Sequence, residues 1–107
     1  MQSQGRAPTD KAARYMTQLA KHWSHRFEVR YDERTAHIPL PAGPCDLRAE
    51  PQALVISLAA DDEESLARLE TVVADHLARF AFREPELKIE WRRIEGPGRI
   101  EGAGAER

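Results

Sequence analysis

The sequence predicts an α+β fold: a two-layer sandwich with two helices packed on one face of a mainly antiparallel sheet of about five strands. The expected order is α-β-β-β-β-α-β. Three observations predict it. Two stretches carry apolar residues at spacings of three and four, the helical period. Five short runs carry them at every second position, the mark of strands with one face in the core and one in water. Turn-forming residues separate the runs. A sheet of this kind has one apolar face to bury, and two amphipathic helices suffice to cover it.

The elements follow in order. Residues 1–9 are polar and contain Gly5 and Pro8, and read as a flexible N-terminal arm. The first helix is expected from Asp10 or Lys11 to Trp23, capped by Thr9 or Asp10. Tyr15, Met16, Leu19, Ala20 and Trp23 share its apolar face, with His22 at the edge. Phe27, Val29 and Tyr31 alternate with Glu28, Arg30 and Asp32 in a first strand. After a turn over 32–34, Ala36, Ile38 and Leu40 point inward and His37 outward. Pro39 lacks a ladder donor and calls for an edge position or a bulge.

The turn over 41–44 leads to a third strand with Cys45, Leu47 and Ala49 inward and Asp46 and Arg48 outward. A fourth, residues 53–60, buries Leu54, Ile56 and Leu58 and turns Val55 and Ser57 out. The second helix is expected to start at Asp61, with Glu64 three residues on in a capping-box arrangement. Leu66, Leu69, Val73, Leu77 and Phe80 form its buried stripe, and His76 lies beside it. Pro85 ends this helix by about Arg83. In the last strand Leu87, Ile89 and Trp91 face in, while Lys88, Glu90 and Arg92 face out. Residues 96–107 hold four Gly and one large apolar residue, Ile100. They read as a disordered Gly-rich tail, which leaves one domain over 10–95.

Composition excludes several functions. The chain has 107 residues, room for one core. Its 16 Lys and Arg against 18 Asp and Glu give a net charge of -2. That is no basic surplus of the kind duplex binding uses, and the sheet face lacks a pair of exposed aromatics for stacking single strands. No nucleic acid is expected. Arg79, Arg83, Lys88, Arg92 and Arg93 read as a solvated face interleaved with Glu84, Glu86 and Glu90. No run approaches the roughly 18 apolar residues of a spanning helix. Residues 1–10 lack the apolar stretch of a signal peptide. No membrane is expected, and the setting is cytoplasmic. Cys45 is the sole cysteine, so no internal disulfide forms and its thiol is reduced.

The residues with chemistry to offer are His22, His25, Cys45 and His76, with His37 outward. His22 and His76 flank the apolar faces of two helices that cover the same side of the sheet, and Cys45 points inward from it. The three can meet in one layer, as ligands of a transition metal or as an imidazole-activated thiol. Two hydrogen-bonded core histidines and a small buried hydrophobe are the other reading of the same residues. Asp61, Asp62, Glu63 and Glu64 suit the positive end of a helix better than an acid–base pair. Gly96 and Gly98 open no helix, so no phosphate loop is present.

Three segments carry a resemblance. They are Lys21-His22-Trp23-Ser24-His25-Arg26-Phe27, the run Pro41-Ala42-Gly43-Pro44-Cys45-Asp46-Leu47-Arg48-Ala49, and residues 73–84 from Val73 to Glu84. Together they resemble the DUF2218 family of small uncharacterised bacterial proteins, over roughly residues 7–93. The family brings no established activity. Some related domains are joined to siderophore-interacting, ferric-reductase-like proteins, so the resemblance implies a link to iron handling. The family often has Cys where this chain has Ala20, while His22, Cys45 and His76 match.

The expected function is a non-enzymatic accessory or ligand-binding module. It would act through the sheet's open face or a His-lined inner pocket, with a second copy or another protein as partner. The open face should carry Glu28, Arg30, His37, Arg48, Val55, Ser57, Lys88, Glu90 and Arg92. The alternative is a metal-dependent or thiol enzyme built on the His/Cys cluster.

Overall fold

Among the described residues six strands form one antiparallel sheet, and two helices cover one of its faces. The computed structural model describes residues 1–94. The elements are β1 (Gln2–Pro8), α1 (Ala12–Ser24), β2 (Arg30–Tyr31), β3 (Thr35–Leu40), β4 (Gly43–Glu50), β5 (Ala53–Ala59), α2 (Glu63–Phe80) and β6 (Glu90–Ile94). Their order across the sheet is β2-β3-β4-β5-β1-β6. The α+β class and the two-layer arrangement are as expected, with one strand more. The Gly-rich tail expected over 96–107 lies outside the described residues.

The extra strand corrects the expected N-terminal arm. Gln2–Pro8 is an interior strand, paired with β5 from Gln2↔Ala59 to Pro8↔Ala53 and with β6 from Gln2↔Ile94 to Arg6↔Glu90. Its inward positions are Ser3, Gly5 and Ala7, all buried. They alternate correctly but carry almost no apolar surface, so the period-two signal is silent. Their smallness answers neighbours far along the chain. A Cβ on Gly5 would lie 2.6 Å from Ile89 Cγ2 and 2.7 Å from the Trp91 ring. The bare backbone of β1 is where those two side chains sit.

The hairpin of β3 and β4 and the strand β5 follow the predicted alternation. Ile38, Cys45, Leu47, Leu54, Ile56 and Leu58 are all inside. Gly43 turns the chain from β3 into β4 at φ +155°, where a Cβ would lie 1.9 Å from Ala59 O, so only glycine fits. Pro39 pairs with Pro44 on one side, and β2 reaches only Ala36 and His37 on the other. The missing N–H therefore costs no ladder bond, as the edge reading required.

Three boundaries differ. The strand expected over 27–31 shrinks to Arg30–Tyr31. Arg26 and Phe27 instead donate their N–H groups to Trp23 O at 3.0 and 2.9 Å, wrapping the chain around the end of α1. Phe27 and Val29 still pack on the core, half-buried. The cap of α2 is Asp62 rather than Asp61, its side chain accepting from Ser65 N at 2.7 Å. That backbone donor holds the Asp62 carboxyl below the usual range. Strand β6 starts at Glu90, and Leu87, Ile89 and Trp91 are half-buried at the margin of the helix layer.

Candidate functional site

Helices α1 and α2 bring His22 and His76 together. Their ring centroids are 5.1 Å apart, with Trp23 at 4.8 Å from His76 and Phe80 at 5.9 Å from His22. His76 Nδ1–H donates to Val72 O at 2.7 Å, one turn back. His22 is exposed. Its pKa is nonetheless lowered, by partial desolvation first and then by His76, Arg79 and His25. His25 lies outside the cluster as the exposed C-cap of α1.

Cys45 sits in the core between Ile38 and Leu58 of the neighbouring strands, with no exposed surface. Burial, with the Asp46 carboxylate adding to it, pushes the thiol up to about 12. A nucleophile or metal ligand needs the opposite shift and an open approach. Among the described residues no group of three or more His, Cys, Asp or Glu is placed to hold a metal ion. Two imidazoles, one committed to a carbonyl, do not fit the three or four protein ligands of a typical zinc site. The arrangement is aromatic packing between two helices.

Glu84, expected on a solvated charged face, has a definite task. The Tyr15 hydroxyl donates to Glu84 Oε2. Thr9 Oγ1 donates to the same carboxylate at 3.0 Å. Thr9 Oγ1 also accepts from Lys11 N at 3.1 Å, opening α1. One carboxylate thus ties the β1–α1 junction to the loop after α2. Burial and the Glu84 charge push the Tyr15 pKa up to about 12.

Among the described residues no helix covers the second face of the sheet. Strand register arranges its side chains in rows. One row runs Arg30, His37, Asp46, Ser57, Gln4 and Arg92, and the next runs Thr35, Arg48, Val55, Arg6 and Glu90. His37 Nδ1 lies 2.6 Å from Asp46 Oδ1. Arg48 forks onto Glu50 through Nε at 3.1 Å and Nη2 at 2.9 Å. Two depressions, of about 460 and 520 Å³, open on this face and share Arg48 and Val55. Alternation along β2, β3, β4, β5 and β6 predicted Arg30, His37, Arg48, Val55, Ser57, Glu90 and Arg92 here. Gln4 and Arg6 were missed with the strand that carries them. Their signal was the strict alternation of long polar and small residues over 2–7.

The five basic residues 79, 83, 88, 92 and 93 do not form one face. Arg92 stands on the open side. Arg93 points to the helix side, where it meets Glu63 at 2.5 Å and Glu70 at 3.0 Å. Glu70 also accepts from the buried Ser3 hydroxyl at 2.5 Å. Phe82 is 70% exposed, with the Arg83 guanidinium 5.7 Å from its ring centroid.

Fold and site together define a small α+β domain with one sheet face covered by helices and the other open and rich in arginine. The chain belongs to the family described as "Uncharacterized protein conserved in bacteria (DUF2218)", whose model matches residues 4–92. It is similar to PA4090 from Pseudomonas aeruginosa, a protein with an NMR structure. The two share 40% identity over 89% of this chain and 98% of that one, with a TM-score of 0.73. No curated protein matches the chain.

Proposed function

We propose that this chain is a non-enzymatic binding module that works through the open face of its sheet. The observation that carries the reading is the pair of adjoining depressions on that face, floored by Val55 and walled by outward side chains of β1, β3, β4, β5 and β6. Val55 is only 7% exposed although it points away from the helices. Long polar neighbours stand around it and make the face concave. The competing catalytic reading loses its nucleophile, since Cys45 is sealed and its thiol pKa is raised. The family resemblance puts iron chelators first among ligands to screen, and the single reduced thiol suits a cytoplasmic setting.

Amide chemical-shift mapping with ¹⁵N-labelled protein tests the reading. The panel holds ferric and iron-free chelators, organic acids and nucleotides. Saturable shifts along β1, β3, β4 and β5 are expected from at least one member. Shifts confined to the His22 and His76 surface, with metal uptake lost in His76→Ala, would overturn it in favour of the histidine cluster. Sedimentation showing a dimer that buries the open face would overturn it in favour of a second copy as occupant.

A further inference from the structure

We infer that the part of the open face bounded by Arg6, Arg48 and Arg92 is a binding site for a small multivalent oxyanion, one bearing two or more carboxylate or phosphate groups. The inference rests on the open-face reading above and names its ligand class. Strand order creates the cluster. Arg6 and Arg92 stand on neighbouring strands as diagonal neighbours, since Gln4 pairs with Arg92 and Arg6 with Glu90. Such residues are about 7–8 Å apart, within mutual reach of a common ligand for side chains this long. Arg48 lies two strands from Arg6, with Val55 between them in the same row. At about 4.8 Å per strand that separation is roughly 10 Å. All three arginines line a depression of about 520 Å³, within the range of small-ligand sites.

Charge supports the assignment. The whole chain carries -2, yet this patch gathers three arginines against Glu50 and Glu90. Among the described residues neither Arg6 nor Arg92 forms an ion pair, whereas Arg93, on the opposite face, is held by both Glu63 and Glu70. A free guanidinium on a sheet face offers a planar fork of donors that matches a carboxylate or phosphate group. Glu50 on Arg48 and Glu90 opposite Arg6 compete with a single negative charge. They select for a ligand that engages two or three arginines at once, and the Gln4 amide adds a neutral donor beside them.

The test is titration of the labelled protein at low salt with citrate and with pyrophosphate, read on the arginine Nε–Hε resonances. A saturable shift of Arg6, Arg48 and Arg92 with one anion is expected, and the tighter of the two names the chemical source. Arg6→Gln and Arg92→Gln should each weaken binding about tenfold, the effect of one charge-assisted contact, while melting as wild type does. Glu90→Gln should tighten it. Absence of a saturable shift with either anion, or binding that survives in the Arg6→Gln/Arg92→Gln double variant, would overturn the inference. A neutral or cationic ligand mapping to the open face without these arginines would overturn the oxyanion assignment and leave the binding-module reading standing. Anion binding at His22, His76 and Arg79 would overturn both.

Discussion

Replacing Glu84 with Ala removes one carboxylate and orphans two hydroxyls. Tyr15 is 2% exposed, and its hydroxyl donates to Glu84. Thr9, 7% exposed, donates to the same group at 3.0 Å. A hydrogen bond to a charged partner is worth about 1.5–3 kcal/mol, and both of these end on the Glu84 carboxylate. The expected loss is therefore about 3–6 kcal/mol. For a domain of this size each kcal/mol lowers the melting temperature by about 4–8 °C, so a drop of at least about 12 °C is expected by circular dichroism. Tyr15→Phe combined with Glu84→Ala should be clearly less than additive, because either change removes the same bond. The pH dependence carries a second signature. The Tyr15 pKa is raised in the fold from about 10 to about 12. Its contribution is complete below pH of about 10 and is lost as pH rises through the folded value. Phenolate absorbance should show Tyr15 titrating earlier in Glu84→Ala. A variant that melts within about 2 °C of wild type, or strict additivity with Tyr15→Phe, would refute the idea that this carboxylate ties the two halves of the chain together.

Four more outcomes are expected. Gly5→Ala should destabilise the fold by about 1–3 kcal/mol in urea unfolding, because Trp91 and Ile89 must leave their seats on β1; an unchanged midpoint would mean that the contact is loose. The Cys45 thiol should react with a disulfide reagent only at the rate of unfolding, and fast labelling under native conditions would contradict its burial. Stability should fall as pH drops below about 6.5: the His22 pKa is lower in the fold, so the unfolded chain binds more protons there. His22→Gln should flatten that slope, and an identical profile in the variant would assign it elsewhere. Asp62→Ala should lower the melting temperature through loss of the α2 cap, and no change would place the start of α2 elsewhere.

Much of this architecture was legible in the sequence for a local reason. Ile38, Leu47, Ile56 and Val73 are large, apolar and fully inside or nearly so, and their spacing alone reports strand or helix. The outward residues of β3, β4 and β5 were legible by the same alternation, which placed His37, Arg48 and Val55 on the open face. The boundary of β2 was not, because Phe27 satisfies its N–H on the end of α1 rather than in a ladder. His22, Cys45 and His76 also share a side of the sheet on paper. Whether side chains on one side are accessible and convergent is a matter of packing, and here two of them meet as tilted rings while the third is closed in the core.

What tertiary structure alone decided is the place of β1. Ser3 and Gly5 are small where Glu70 reaches Ser3 and Trp91 lies over Gly5, partners more than sixty residues away. The alternation of long polar and small residues over 2–7 is local, but it carries no apolar signal, because the inner face of this strand is shaped by what distant residues need. The candidate site depends on the same fact. Arg6, Arg48 and Arg92 are three exposed arginines in the sequence, and they become one cluster only through the strand order β4-β5-β1-β6.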